Sequence, residues 1–392
     1  MKFLIKFFKW FAIIIVSIII LMYLFNVDYL LRAVRTIYFK GYTTAFLEDY
    51  KEFPNREIKK GTAQPWAIAK DYNTISATKT LQKTHKELQT TAFLIIKNDS
   101  IWHESYFDGF DKNSKTNSFS MAKSVVTMAM GKAIMEGKMK SLDQKVTDFF
   151  PELKGKYAKE VTIGDLSSMA SGLSWDEKYY SPFSIVTRAY FDDNLKDMIL
   201  GLDIKEKPGQ SFKYLSGATQ LLAMCIEKAT GEHLSDYVSK HFWQPMGAEN
   251  EALWQLDEAP DGIEKAYCCI ASNARDFARF GKLYLNNGKW NGQQLLDSVF
   301  VKKCITPRFE KSPEYGYGWW MHEIKGKKLF YMRGHLGQFV IVIPEDDLII
   351  VRLGHLKGLQ TKTDPHSNDL YIYVEEAYNM LAQRDKKNNT SH

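Results

Sequence analysis

The stretch TAFLIIK-NDS-IWHESYF (Thr91–Phe107) reads as two strands joined by a tight polar turn at Asn98-Asp99-Ser100. A second set of strand-like runs lies near the other end: LFYMRG (Leu329–Gly334), QFVIVI (Gln338–Ile343) and LIIVRL (Leu348–Leu353). The last two are joined by Pro344-Glu345-Asp346-Asp347, a plausible turn. Links this short join antiparallel neighbours, whereas parallel strands need crossover helices. Between the two sets, from Asp143 to Leu296, helical periodicity dominates, punctuated by glycine and proline. The expected fold is α+β. An antiparallel β-sheet is built from N- and C-terminal strands and flanked by helices, with a mostly helical lobe inserted in the middle. NDLYIYVEEAYNMLAQ (Asn368–Gln383) adds a C-terminal amphipathic helix, and a polar tail closes the chain.

The rest of the chain fits around this body. With 392 residues, 45% apolar and 25% charged, wholesale disorder is excluded. The net charge of +6 comes from scattered residues, so no basic face for nucleic acid is expected. Four cysteines are too few for a disulfide scaffold, and Cys268-Cys269 lacks the CxxC spacing of a metal or redox site. From Trp10 to Phe25 every residue except Ser17 is apolar, and Lys2, Lys6 and Lys9 precede the run. The expectation is an uncleaved transmembrane signal-anchor with the remainder exported to the extracytoplasmic (periplasmic) side. A cleaved signal peptide is the competing reading, and it lacks a small-x-small cleavage site. The expected organisation is an anchor over 1–31, a connector wrapping the body over 32–90, the main domain over 91–385, and a tail over 386–392.

Several familiar sites are absent from the sequence. There is no HExxH or HxH, so no metal site is expected, and no serine sits in GxSxG. GKAIMEGKM (Gly131–Met139) has the wrong glycine spacing for a phosphate loop. What remains is Ser120-Met121-Ala122-Lys123, placed where strand-like sequence gives way to an apolar helix. Residues three apart share a helix face, which sets Lys123 one turn below the Ser120 hydroxyl. Val125, Val126, Met128, Met130 and Ala133 leave that helix no continuous polar face. A lysine buried near a helix N-terminus loses solvation and meets an adverse dipole, and both favour the neutral amine as a base. Helix-capping and surface roles suit the same two residues, so the spacing alone leaves both readings open. Two further features narrow them. Tyr214-Leu215-Ser216 stands in a loop just before the helix GATQLLAMCIEKATG, and His335-Leu336-Gly337 precedes the strand QFVIVI.

In this order the three motifs resemble those of the serine β-lactamase/penicillin-binding protein superfamily. The branch most similar holds class C β-lactamases, DD-peptidases, esterases and 6-aminohexanoate-dimer hydrolases. SMAKSVV, GKMKSLDQKVTDFFPEL, VTIGDLSSMASGLSWDE, PGQSFKYLSGATQLL, SNARDFARFGKLYLNNGKWNGQQLL, YGYGWW and GHLGQ resemble family segments in their usual order. The resemblance implies an acylated nucleophile at Ser120, its proton acceptor at Lys123 and a proton relay at Tyr214. It further implies that Ser216 completes their hydrogen-bond network and that His335 adds a conditional positive charge. Gly337 would let the strand pass close to substrate, and the backbone N–H groups of Ser120 and Gln338 would form an oxyanion hole. Trp175, Tyr180, Trp319 and Trp320 fall in segments that border the family's cleft, where they would shape an acyl pocket. Ser216 and His335 replace the Asn and Lys of class C enzymes, which weakens a β-lactam as substrate. The expected activity is hydrolysis of a small-molecule amide or ester without cofactor. A β-lactamase or DD-peptidase is the alternative enzyme, and a non-catalytic wall-binding or sensor protein the alternative of another class. The oligomeric state is left open.

Overall fold

The structure, a computed structural model, describes residues 1–389; the last three residues of the polar tail lie outside the described residues. Its central sheet has seven strands, ordered in space Trp320–Ile324, Lys327–Gly334, Gln338–Ile343, Leu348–Gly354, Thr90–Lys97, Ser100–Tyr106 and Ala67–Ile68. All neighbours are antiparallel except the last pair, where Ala67–Ile68 lies parallel to Ser100–Ile101. The expected α+β sheet of N- and C-terminal strands is thus present. Its first hairpin closes through Asn98 and Asp99, both at positive φ (49° and 63°), with Lys97 opposite Ser100. That is the two-residue turn whose twist suits flanking strands, and Asn and Asp tolerate it.

Both faces of the sheet are covered, which is why its strands read as unbroken apolar runs. Leu94, Ile96, Val340, Val342, Ile349 and Val351 face the helical lobe. Phe93, Ile95, Ile341, Ile343, Leu348 and Ile350 alternate with them and pack against Leu370, Tyr373, Val374 and Ala377 of the C-terminal helix. Burying each such side chain contributes about 1.5–3 kcal/mol.

The lobe carries helices Ile163–Ser167, Ile185–Phe191, Leu195–Leu200 and Ser216–Thr230. It also contains short strands within the stretch where helical periodicity was expected to dominate. A second sheet runs Asn55–Ile58, Ala252–Gln255, Ile270–Ser272, Thr116–Asn117. Residues 32–90 contribute strands to both sheets, and the helix Tyr29–Thr36 packs on Ile185–Phe191. Ahead of it, Lys2–Leu24 forms a 23-residue, strongly apolar helix with no buried residue. It is long and apolar enough to span a membrane or to serve as a signal sequence.

Candidate active site

Ser120 sits in a one-turn 3₁₀ segment, Phe119–Met121, that runs straight into the helix Ala122–Met135. The helix is buried on every side from Ala122 to Gly131, and Gly137, at φ 70°, follows its end. Phe119 precedes the serine at φ 46°, a left-handed conformation that bulky residues avoid. Asn117 holds it there: its Oδ1 accepts the Phe119 N–H at 2.8 Å, while its Nδ2 donates to Asp49 Oδ1 at 2.9 Å. Asp49 is itself fully buried and also accepts from Tyr190 and Gln255.

Lys123 is 2% exposed. Its Nζ lies 2.8 Å from Ser120 Oγ and donates to the Tyr267 carbonyl at 2.7 Å. Burial first, then the nearby Arg333, lowers its pKa to about 7, against an opposing pull from Glu177. The neutral amine is therefore accessible near neutral pH, and in that form it can act as a proton acceptor toward the serine hydroxyl 2.8 Å away. Tyr214 completes the group: its ring centroid is 5.1 Å from Lys123 Nζ, and its phenol interacts with the Ser120 hydroxyl. Burial and then Glu177 push that phenol well above its ordinary value, so it stays protonated.

A cleft opens on Ser120 in two arms. One, of about 110 Å³, is lined by Ala33, Ile37, Val186, Phe191, Ser216 and Cys268 among others. The other, of about 120 Å³, is lined by Tyr214, Arg333, His335, Gly337 and Lys357 among others. Tyr179 and Tyr180 border both arms. Cys268 is joined to Cys269 by a disulfide. Among the described residues, Glu227, His233 and Glu264 bring ligand atoms within 4.8 Å of one another. Their carboxylates are already engaged by Arg56 and by the N–H groups of Leu234 and Ser235.

A β-lactamase family model matches residues 77–369. The chain belongs to the β-lactamase family. Among its family relatives, the 6-aminohexanoate-dimer hydrolase of Paenarthrobacter ureafaciens is 25% identical over 311 residues, 72% of this chain and 78% of that protein. A solved Bacillus anthracis structure, assigned as a 6-aminohexanoate-dimer hydrolase, superposes with a TM-score of 0.72 at 22% identity, covering 91% of this chain and 95% of that one. A D-stereospecific amidohydrolase from a Streptomyces species shares the β-lactamase-type fold at a TM-score of 0.55 and 15% identity, covering 68% and 89%.

Several residues expected at the site of this β-lactamase-family chain sit differently. Ser216 does not complete a network with Ser120; its N–H and hydroxyl both engage the Glu177 carboxylate. His335 carries no conditional charge near neutrality, because burial, aided by Lys357, lowers it to about 4. The cations of that arm are instead Arg333 and Lys357. Gly337 borders the cleft, but its need for glycine comes from behind: at φ 79°, a Cβ would meet Arg352 Nη1 at 2.6 Å. Arg352, fully buried, donates to the Leu336 and Gly337 carbonyls at 2.9 Å each and so fixes the turn. The Gln338 amide braces Gly354 and the His335 carbonyl.

Of the four expected pocket aromatics, Tyr180 lines the cleft at 75% exposure. The three tryptophans do not. Trp175 is buried and donates to Glu177 at 2.9 Å, and Trp319 packs against Tyr284 and Phe330. Trp320 is wedged between Tyr214 and the Arg333 guanidinium, 3.8 Å from its ring. Sequence reasoning missed Glu177, Arg333, Tyr267 and the N-terminal wall. Glu177 stands in the segment SWDE just after Trp175, and Arg333 directly before GHLGQ.

Proposed function

We propose that the protein is a serine hydrolase of amides or esters that works through an acyl-enzyme on Ser120. The observation that carries this reading is the dry amine of Lys123, 2.8 Å from the Ser120 hydroxyl. Ser120 Oγ bonds to the substrate carbonyl carbon as its proton passes to Lys123. The tetrahedral oxyanion is held by the backbone N–H groups of Ser120 and Gln338. As the carbonyl re-forms, the leaving group departs with a proton relayed through Tyr214. Water then attacks the acyl-enzyme, the acid leaves, and the serine recovers its hydrogen.

We also read Lys2–Leu24 as a retained anchor, with the body on the extracytoplasmic side. Support comes from the next helical turns: Tyr29, Ala33 and Ile37 are buried in the main core, so the chain just beyond the apolar helix belongs to the fold. Ser120→Ala tests the enzyme reading. A fluorescent fluorophosphonate should label the native protein and not the variant, and intact-mass spectrometry should find the acyl group on the serine. Labelling that persists in Ser120→Ala would refute the assignment.

A further inference from the structure

One arm of the cleft is walled by the first residues beyond the N-terminal helix. Ala33 and Ile37 line it beside Val186 and Phe191. Only Phe25–Asp28 separate the two helices, and they are folded, not extended: Val27 N–H donates to Met22 at 2.9 Å and Leu30 N–H to Val27 at 3.1 Å. At about 1.5 Å per residue, Ile37 stands about 12 Å along the second helix from that turn. This is comparable with one leaflet of a ~30 Å hydrocarbon core. The arm is narrow, about 110 Å³, and its lining is mostly apolar, so it suits a slender aliphatic chain entering from its mouth.

The rim has the composition of a membrane interface. Tyr38 and Tyr180, which line the arm, are 56% and 75% exposed, and Phe39 and Phe183 beside them are 80% and 75% exposed. Aromatic side chains left bare in water at the mouth of an apolar cleft are placed as they are in the aromatic belts of membrane proteins. The opposite arm is different in kind, with Arg333 and Lys357 in its lining. Ser120 lines both.

We propose that the substrate is a membrane-resident amphiphile, an ester or amide whose aliphatic chain enters the apolar arm from the lipid while its polar head faces Arg333 and Lys357. This rests on the acyl-enzyme reading and on the retained anchor, and it adds to them the class of substrate. The helix beyond the anchor is then a wall of the binding site, and its closeness to the bilayer shortens the path of a chain that would otherwise cross water.

The test uses the full-length protein in lipid nanodiscs with p-nitrophenyl acetate, butyrate, octanoate and laurate. Each methylene that becomes buried should raise kcat/KM about fourfold, until the arm is filled. Ala33→Phe, which fills the arm, should cut the laurate-to-acetate ratio at least tenfold. Because that variant could misfold, a second measurement stands apart from it and from turnover. Full-length Ser120→Ala should bind 11-(dansylamino)undecanoate, and laurate but not acetate should displace the probe. Ser120-dependent acetate hydrolysis with no gain for longer chains overturns the amphiphile proposal and leaves the hydrolase reading standing. Failure of the Ser120→Ala protein to bind the dansyl probe overturns it as well. If no ester is cleaved and Ser120 is unlabelled, the hydrolase reading fails, and probe binding alone decides whether the arm takes aliphatic chains.

Discussion

Asn117 and Asp49 meet at 2.9 Å inside the protein although 68 residues separate them in sequence. The pair braces Phe119, whose left-handed backbone aims the next residue, Ser120, into the cleft. Asn117→Ala should lower stability by about 1–3 kcal/mol in urea unfolding, since it strips a buried carboxylate of one of its donors and a buried N–H of its acceptor. It should also lower kcat at little change in KM. A drop in stability with kcat intact would leave Asn117 a structural residue only.

Lys123 gives a pH signature. Its folded pKa of about 7 lies below the ordinary lysine value near 10.4. Within that window the unfolded chain holds a proton that the folded chain has released, so this group adds stability as pH rises through it. Below the window both states carry the charge, and the native state bears the cost of burying it. Lys123→Met should therefore raise the melting temperature more at pH 6 than at pH 9.5. The gap between variant and wild type should narrow steadily in between. In wild type, kcat/KM should climb with an apparent pKa near 7. A gap that does not change with pH would count against the buried amine.

His335 should not contribute to that climb, since burial keeps its imidazole neutral down to about pH 4. His335→Gln should lower the rate while the inflection of kcat/KM near 7 stays in place. A shifted inflection in steady-state profiles would reassign the titrating group.

Gly337→Ala forces a Cβ against Arg352 at a positive φ. The expected cost is about 1–3 kcal/mol in urea unfolding, with reduced kcat because the turn bordering the cleft is displaced. Unchanged unfolding would mean that Arg352 yields freely.

Removing residues 1–25 should release a soluble protein with the melting temperature and ester hydrolysis of the intact chain. Removing 1–45 should lower both, because Ala33, Ile37 and Thr44, which line the cleft, go with it. Ultracentrifugal fractionation and thermal melts of the two truncations check this.

The central hairpin was legible because its turn residues and apolar runs point the same way. The second sheet was not. Asn55–Ile58 finds its partner at Ala252–Gln255, and four residues with a remote partner leave no periodic trace. In the site, the nearness of Ser120 and Lys123 was legible because a three-residue spacing sets them one turn apart. Tyr267 was invisible because its main-chain oxygen meets the lysine, and any residue supplies one. Trp175, Trp319 and Trp320 show the opposite error. An aromatic beside a motif reads the same whether it faces the cleft or lies behind it, and here all three lie behind.

The pairing of Thr90–Lys97 with Leu348–Gly354 sets the order of assembly. The two strands are central neighbours, yet roughly 250 residues of synthesis divide them, and contacts so distant form late. A ribosome must deliver nearly the whole polypeptide before the sheet can close. Until then the strands already made present unpaired edges, so the span between the first hairpin and the last strands is the interval in which mispairing is open to this sequence.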